Sequence, residues 1–384
     1  MNRLILAATL LTASIAMAEE TAPPSANVSS DILSMLPTEG GALHVLVDDI
    51  DGNGRPDLAF TSHGNSDIQV YKQIAPRRFE ASSPQAVTGF HPNDTIALPG
   101  TPKRYLINAE GEGKLKVVRA QPDGRFELVA ERAQPAPRAS TPFFWPGWDL
   151  SLAVVPYNGK TLTLLRGFNP ETGDVKSVYQ LEIGIDPKHV RLADLNGDGI
   201  DELVLTTLRG NELWVIDYPG PDKNPTPRRL WSFKRGWPRH VLPFDVDRNG
   251  TVDLLVPMSV RQETVVLLND GKGHFTEGKP IPYPVKPGIH VMTTGQDRDG
   301  TRYLLAGGIK ALVLYRENKD TPGNFENTTL SLATWPNWVE LKDIDGDGWL
   351  DAVAAIQGGG ALSPVIYGPL WEAFTTLSAS KKAG

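Results

Sequence analysis

Asp194-Leu195-Asn196-Gly197-Asp198-Gly199-Ile200-Asp201-Glu202 puts oxygen-bearing side chains at its first, third, fifth and ninth positions and glycine at its sixth. Three further intact copies are Asp49-Ile-Asp51-Gly-Asn53-Gly54-Arg55-Pro-Asp57, Asp245-Val-Asp247-Arg-Asn249-Gly250-Thr251-Val-Asp253 and Asp343-Ile-Asp345-Gly-Asp347-Gly348-Trp349-Leu-Asp351. A fifth, Gly295-Gln-Asp297-Arg-Asp299-Gly300-Thr-Arg-Tyr303, keeps the middle and loses both ends. From 194 the copies start 51, 50 and 48 residues apart, and the 145 residues from 49 to 194 equal three periods of about 48. That gap therefore hides two units without an acidic loop. Thr95 to Glu127 and Leu150 to Leu181 supply them, with short β-forming runs such as Tyr105-Leu-Ile-Asn108, Leu115-Lys-Val-Val118, Leu152-Ala-Val-Val155 and Thr161-Leu-Thr-Leu-Leu165. The units then number seven.

Each unit repeats one order: a proline, a short apolar strand, the acidic loop, a second strand such as Leu203–Thr207, a third such as Glu212–Ile216, and a weaker fourth. Four strands in about 48 residues is the signature of a propeller blade. No stretch sustains a 3.6-residue apolar period, and 37 Gly with 32 Pro suit many tight turns. The expected fold is all-β: a seven-bladed β-propeller with four antiparallel strands per blade. It should span residues 38–377, after an N-terminal segment (19–37) and before a disordered tail (378–384). The last unit is expected to supply its own fourth strand near Phe374-Thr-Thr-Leu377, leaving residues 27–36 either to add an outer strand or to cap the ring.

In the loops, oxygens at positions one, three and five project to one centre and glycine at six permits the sharp turn. Position seven (Arg55, Ile200, Thr251 or Trp349) offers its carbonyl, and position nine closes the site with a carboxylate. Hard oxygen donors without His or Cys favour calcium over transition metals. Position twelve, where an EF-hand carries its glutamate, is Phe60, Leu205, Val256 or Ala354. Asp, Asn and Gly also make good turns, yet four copies at blade spacing select the metal reading. About four structural calcium ions are expected, with weak or no binding at the Gly295 unit.

These loops, with Val265-Val-Leu-Leu-Asn-Asp-Gly-Lys-Gly-His-Phe275 completing a third strand and turn, resemble FG-GAP/VCBS repeats, a family similar in architecture to the integrin α-subunit head. The resemblance spans about residues 38 to 375 and is carried by four units. It implies a propeller with calcium in the loop between strands one and two of a blade. Units two and three carry no acidic loop to which this transfers, and the literal Phe-Gly-Gly-Ala-Pro string is absent.

The first residues read as a secretory signal: Arg3, an apolar stretch from Leu4 to Ile15, and a small-x-small site at Ala16-Met17-Ala18, with cleavage expected after Ala18. A periplasmic or secreted location follows, with no transmembrane segment in the mature chain. With no Cys, an exported chain has no disulfides, and bound metal is the natural substitute. Removing Arg3 from 38 basic residues against 45 acidic ones leaves a balance of −8, which four calcium ions would cancel. Without a basic patch, nucleic acid is not an expected partner.

Five residues before each loop start stand His44, His189, His240 and His290, with Trp338 in the last unit, each followed by Val. Asp94 and Trp148 are the nearest candidates in units two and three. An innermost strand of four or five residues separates these positions from the loops by roughly 13–17 Å, so they should ring the opposite mouth of the channel. Duplication of an ancestral His-Val explains the pattern without any ligand. A binding mouth for sugars, peptides or anions, and a transition-metal site, are the functional alternatives. Trp145, Trp148, Trp237, Trp335 and Trp338 cluster at blade entries, where exposed faces would favour carbohydrate, while Trp214 and Trp349 belong to packing and turn.

No Gly-x-Ser-x-Gly elbow, His-Glu-x-x-His helix or phosphate-cradling loop is present, and a Cys nucleophile is ruled out. The leading expectation is a non-catalytic binding or assembly module of the cell envelope with a protein or glycan ligand. The alternative is a carbohydrate-active enzyme, similar to calcium-bearing polysaccharide lyases, using the His/Trp mouth with Arg191 and Arg239 beside it.

Overall fold

Seven antiparallel sheets stand in a ring, each innermost strand touching the next and Pro336–Lys342 closing back on Ala42–Asp48. A computed structural model describes residues 28–358 and 360–380; the expected signal peptide, residues 19–27 of the N-terminal segment and residues 381–384 lie outside the described residues. Blades 1 to 7 begin at Ala42, Pro92, Pro137, Pro187, Leu242, Ile289 and Pro336.

The core is not central but divided into seven apolar layers, one in each gap between blades. Strand periodicity produces this division. In the second strand of blade 4, Leu203 and Leu205 enter the layer shared with blade 3, while Val204 between them enters the layer shared with blade 5. Covered on both faces, the second strands Asp57–Ser62, Glu202–Thr207 and Asp351–Ile356 are buried at every residue. That is why they read as continuous apolar runs instead of alternating ones.

Two boundaries differ from the expectation. The innermost strand of blade 3 is Pro137–Phe143 and that of blade 2 is Pro92–Leu98, so the run at Leu152 is a second strand. Pro137-Arg-Ala-Ser-Thr-Pro-Phe143 holds two prolines and little β-branching, a pattern an edge strand at the channel tolerates. At the other end, residues 374–377 are helical, inside Leu370–Ser380, and this helix includes 378–380 of the expected tail. Leu370, Ala373 and Phe374 are buried and Leu377 packs beside them, an i, i+3, i+4, i+7 stripe laid against blades 6 and 7.

The fourth strand of blade 7 is instead Leu33–Thr38, paired antiparallel with Ala361–Ile366, and Val28–Ser30 adds a fifth. Ser34 to Tyr367 (2.9 Å) and Thr38 to Ser363 (3.0 Å) fix the clasp. Joining the two ends of the chain in one sheet removes the exposed edge that an open ring would leave.

Candidate functional site

Two sites occupy opposite ends of the innermost strands. At one end the four acidic loops share a single hydrogen-bond scheme. The position-one carboxylate accepts from the amide at six (Asp49 from Gly54, Asp194 from Gly199, Asp245 from Gly250, Asp343 from Gly348, all 2.9–3.0 Å). Position three (Asp51, Asn196, Asp247, Asp345) accepts from five, and position five (Asn53, Asp198, Asn249, Asp347) from seven. Position nine (Asp57, Glu202, Asp253, Asp351) opens the buried second strand and accepts from the amide at two.

Carboxylate oxygens of Asp49, Asp51 and Asp57, of Asp245, Asp247 and Asp253, and of Asp343, Asp345 and Asp351 lie within 4.8 Å of one another. In blade 4 position three is Asn196, so its acidic set is Asp194, Asp198 and Glu202. Burial pushes the ninth carboxyl up in all four, with Glu202 and Asp351 reaching about 7. Each loop thus gathers carboxyl groups while burial works against the charge of the ninth, and in blades 1, 5 and 7 they converge closely enough to hold a metal ion. At blade 7 a neighbour supplies positive charge: Arg77 donates to Asp345 (2.5 Å) and Asp347 (3.3 Å).

The remaining blades fill the same corner differently. In blade 3, Trp145 and Trp148 sit after the innermost strand, on the loop face and not at the mouth. They are buried with Phe143, and the Trp145 indole donates to the Asp201 carbonyl at 2.8 Å. Trp148 is therefore core, not a ligand-binding residue. Blade 6 zips its ladder through Gln296 and Arg302, leaving only residues 297–301 in a hairpin too short for a nine-residue loop.

At the other end a bulge skips one residue at the start of the innermost strand in blades 1, 3, 4, 6 and 7, and two, Asn93 and Asp94, in blade 2. Two residues after the pair that opens each strand stand His44, Asp94, Ala139, His189, His240, Val291 and Trp338, and all but Val291 line the channel mouth. His290 is itself the skipped residue of blade 6, equivalent to Arg138, Lys188 and Arg239, because the longer ladder of that blade displaces the count by one. Ala139, not Trp148, takes the blade 3 place.

Trp338 is the hub of the ring, with its ring centre 4.6 Å from that of His44, 5.6 Å from His189 and 5.8 Å from His240; His189 and His240 are 4.4 Å apart. Burial, then the charge of Arg191, drives His44 down to about 3 and His189 and His240 well below their ordinary value; burial and Arg239 take His290 down to about 4. These imidazoles are neutral at physiological pH. Arg191 donates to His189 Nδ1 at 2.5 Å, and Arg239 to His290 Nδ1 at 3.2 Å. Below the ring, Trp338 Nε1 donates to Glu340 (2.6 Å) and Asn108 to Asp94, a carboxyl raised by burial to about 7. Above it opens a cavity of about 120 Å³ that His44, Arg138, Lys188, Arg239, His240 and His290 help to line. The cations Arg138 and Lys188 occupy bulge positions that no pattern of apolar residues or turn signals distinguishes, so sequence reasoning missed them.

The FG-GAP-like repeat family matches residues 194–256, from the blade 4 acidic loop through that of blade 5 to the strand beyond it. The chain is an FG-GAP-type repeat propeller. No curated protein matches this propeller. Among solved structures it is similar to BBS1N in its complex with ARL6DN (11 % identity, TM-score 0.59, 87 % of this chain and 93 % of that one). It is also similar to virginiamycin B lyase from Staphylococcus aureus (13 %, 0.56, 87 % and 99 %) and to an Agrocybe aegerita lectin that recognises non-reducing terminal N-acetylglucosamine (16 %, 0.52, 77 % and 81 %). At these identities the likeness establishes the propeller and nothing about the ligand. Among the described residues no helix is long and apolar enough to cross a membrane.

Proposed function

We propose that this FG-GAP-type propeller is an exported, calcium-stabilised binding or assembly module of the cell envelope, without catalytic activity, that presents its channel mouth to a protein or glycan ligand. The observation that carries the reading is the separation of the two ends. Charge-deficient carboxylate loops of one repeated geometry stand on one face, and a polar cavity ringed by buried side chains stands on the other. Calcium supplies the missing positive charge and binds the folded chain alone, so it stabilises by mass action. Position-one, -three and -five side chains with the ninth carboxylate would hold it, in a chain that has no disulfides.

The ring imidazoles are poorly suited to proton transfer, because a general base works best with a pKa near the operating pH and burial holds them far below it. A transition metal at the ring is disfavoured by the guanidinium of Arg191 on His189 and by the donor atoms: among the described residues, converging acidic or imidazole trios occur only in the loops. Elemental analysis of the natively exported protein, before and after chelation, with the N-terminus of the mature chain determined, tests the reading. Three to four calcium ions per chain and a start at Glu19 are expected, by the loop count. A calcium-free protein that melts at the same temperature with and without chelator would overturn it.

A further inference from the structure

We propose that the channel mouth is a binding site for a single carboxylate carried by a sugar acid. The proposal deepens the binding-module reading above and rests on it. Two charges at the mouth lack a counterion. Arg138 lies over the ring of Tyr157 (5.3 Å) and Arg239 donates to His290, but among the described residues neither has a carboxylate within 4.0 Å. Asp186 is committed to Lys188 at 2.7 Å. Arg191, deeper in the channel, is answered at longer range by Glu340 and Asp94. The mouth cations also act on one another: after burial, the charge of Arg138 lowers both Lys188 and Arg239. Positive charge held together away from water is costly, and an anion that replaces the lost hydration relieves it.

A second observation points into the same cavity. His44 and His240 are 6 % and 7 % exposed, and Nδ1 of each is buried with no hydrogen-bond partner. A buried polar atom left unpaired is destabilising. Both rings line the cavity with Arg138 and Arg239, and a neutral imidazole protonated at Nδ1 is a donor in want of an acceptor such as an oxyanion. A planar carboxylate matches the arginine fork. The sugar is indicated by the rim. Tyr157 (40 % exposed) lies under Arg138 and Lys188, and Trp335 (37 % exposed) stands edge-to-face with His290 at 5.0 Å. Flat apolar faces beside a carboxylate pocket suit the C–H faces of a pyranose ring.

The test is calorimetric titration of the full chain, calcium present, with D-galacturonate, D-galactose, inorganic phosphate and N-acetyl-dialanine, alongside Trp338 fluorescence. Galacturonate should bind at least about tenfold more tightly than the other three, and Arg138→Gln and Arg239→Gln should each weaken it about tenfold, as loss of a charge-assisted hydrogen bond predicts. Melting temperature and calcium content of both variants report folding separately, since neither side chain belongs to an interblade layer. Galactose binding as tightly as galacturonate, phosphate or the peptide binding more tightly, or no probe binding at all would each overturn the proposal. Those outcomes leave the calcium-stabilised module standing, because that reading fails only on the metal and export measurements.

Discussion

Blades 5 and 6 are neighbours descended from one pattern, and they meet the same electrostatic demand by different means. Blade 5 keeps the nine-residue loop, with Asp245, Asp247 and Asp253 converging on a point that a diffusible ion can fill. Blade 6 closes its hairpin at Gln296–Arg302, and Arg302 brings its charge in covalently. The Arg302 guanidinium pairs with Glu317, whose side chain is fully buried, and donates to the backbone carbonyls of Asp245 and Val246 in the loop of blade 5. Arg248, at position four of that loop where the other copies carry Gly52, Gly197 and Gly346, completes the contact to Glu317 at 2.6 Å. Arg248 has φ of 61°, so this ion pair offsets the cost of a left-handed backbone that glycine would adopt freely. The two blades thus differ in kind: blade 5 gathers carboxylates that can hold an ion, while blade 6 sets an arginine against a buried glutamate.

The largest effect should come from removing the ions. At a hundredfold excess over Kd each site contributes about 2.7 kcal/mol, so chelation should lower stability by roughly 8–11 kcal/mol for three or four sites, read as a fall in melting temperature. A melt insensitive to chelator would break the comparison outright. Next comes Arg302→Met, which leaves Glu317 buried with Arg248 alone; about 3–5 kcal/mol should be lost by denaturant unfolding, whether or not calcium is present. Adding Glu317→Gln should recover part of that loss, and a double-mutant cycle measures how much. Asp253→Asn should cost about 1–3 kcal/mol in calcium and remove one ion per chain by elemental analysis. In chelator the same change should cost less, because burial disfavours the charged carboxylate that it removes, which offsets the loss of one of the two oxygens that accept from Val246 and Asn269.

The smallest effect concerns the mouth, where His240 of blade 5 lines the cavity while its counterpart in blade 6, Val291, is buried in the layer shared with blade 7. His240 is held neutral in the folded chain, so below pH 6.5 the unfolded state binds its proton more readily and the folded state loses stability as pH falls. His240→Val should make blade 5 resemble blade 6 and reduce that acid loss by up to about 1.4 kcal/mol per pH unit, seen as a shallower stability–pH curve between 6.5 and 5. Equal curves would mean that the imidazole is protonated within the fold.

Much of this was legible in the residues. Nonapeptides at a constant period specify the blade number and the loop geometry, since both depend on local chemistry: where oxygens project and where glycine turns. Tyr105–Asn108 and Thr161–Leu165 announced strands in blades that had lost the loop, because a strand buried between two blades must be apolar along its whole length. Counting from the loops brought His44, His189, His240, His290 and Trp338 to one mouth, with His290 one residue out of register, but misplaced Trp148, because blade 3 has no acidic loop from which to count.

What the sequence by itself determined is the repeating blade and its acidic corner, features each written within a few consecutive residues. Only the tertiary structure decided which strand closes the ring, that Arg302 pairs with the buried Glu317 beneath the blade 5 loop, and that Arg138 and Arg239 crowd one mouth beside His44. Closure joins Leu33–Thr38 to Ala361–Ile366, more than three hundred residues apart. The mouth joins single bulge residues from separate blades. Such meetings leave no local pattern, because the energies that fix them, burial and unpaired charge, exist only once the ring has formed.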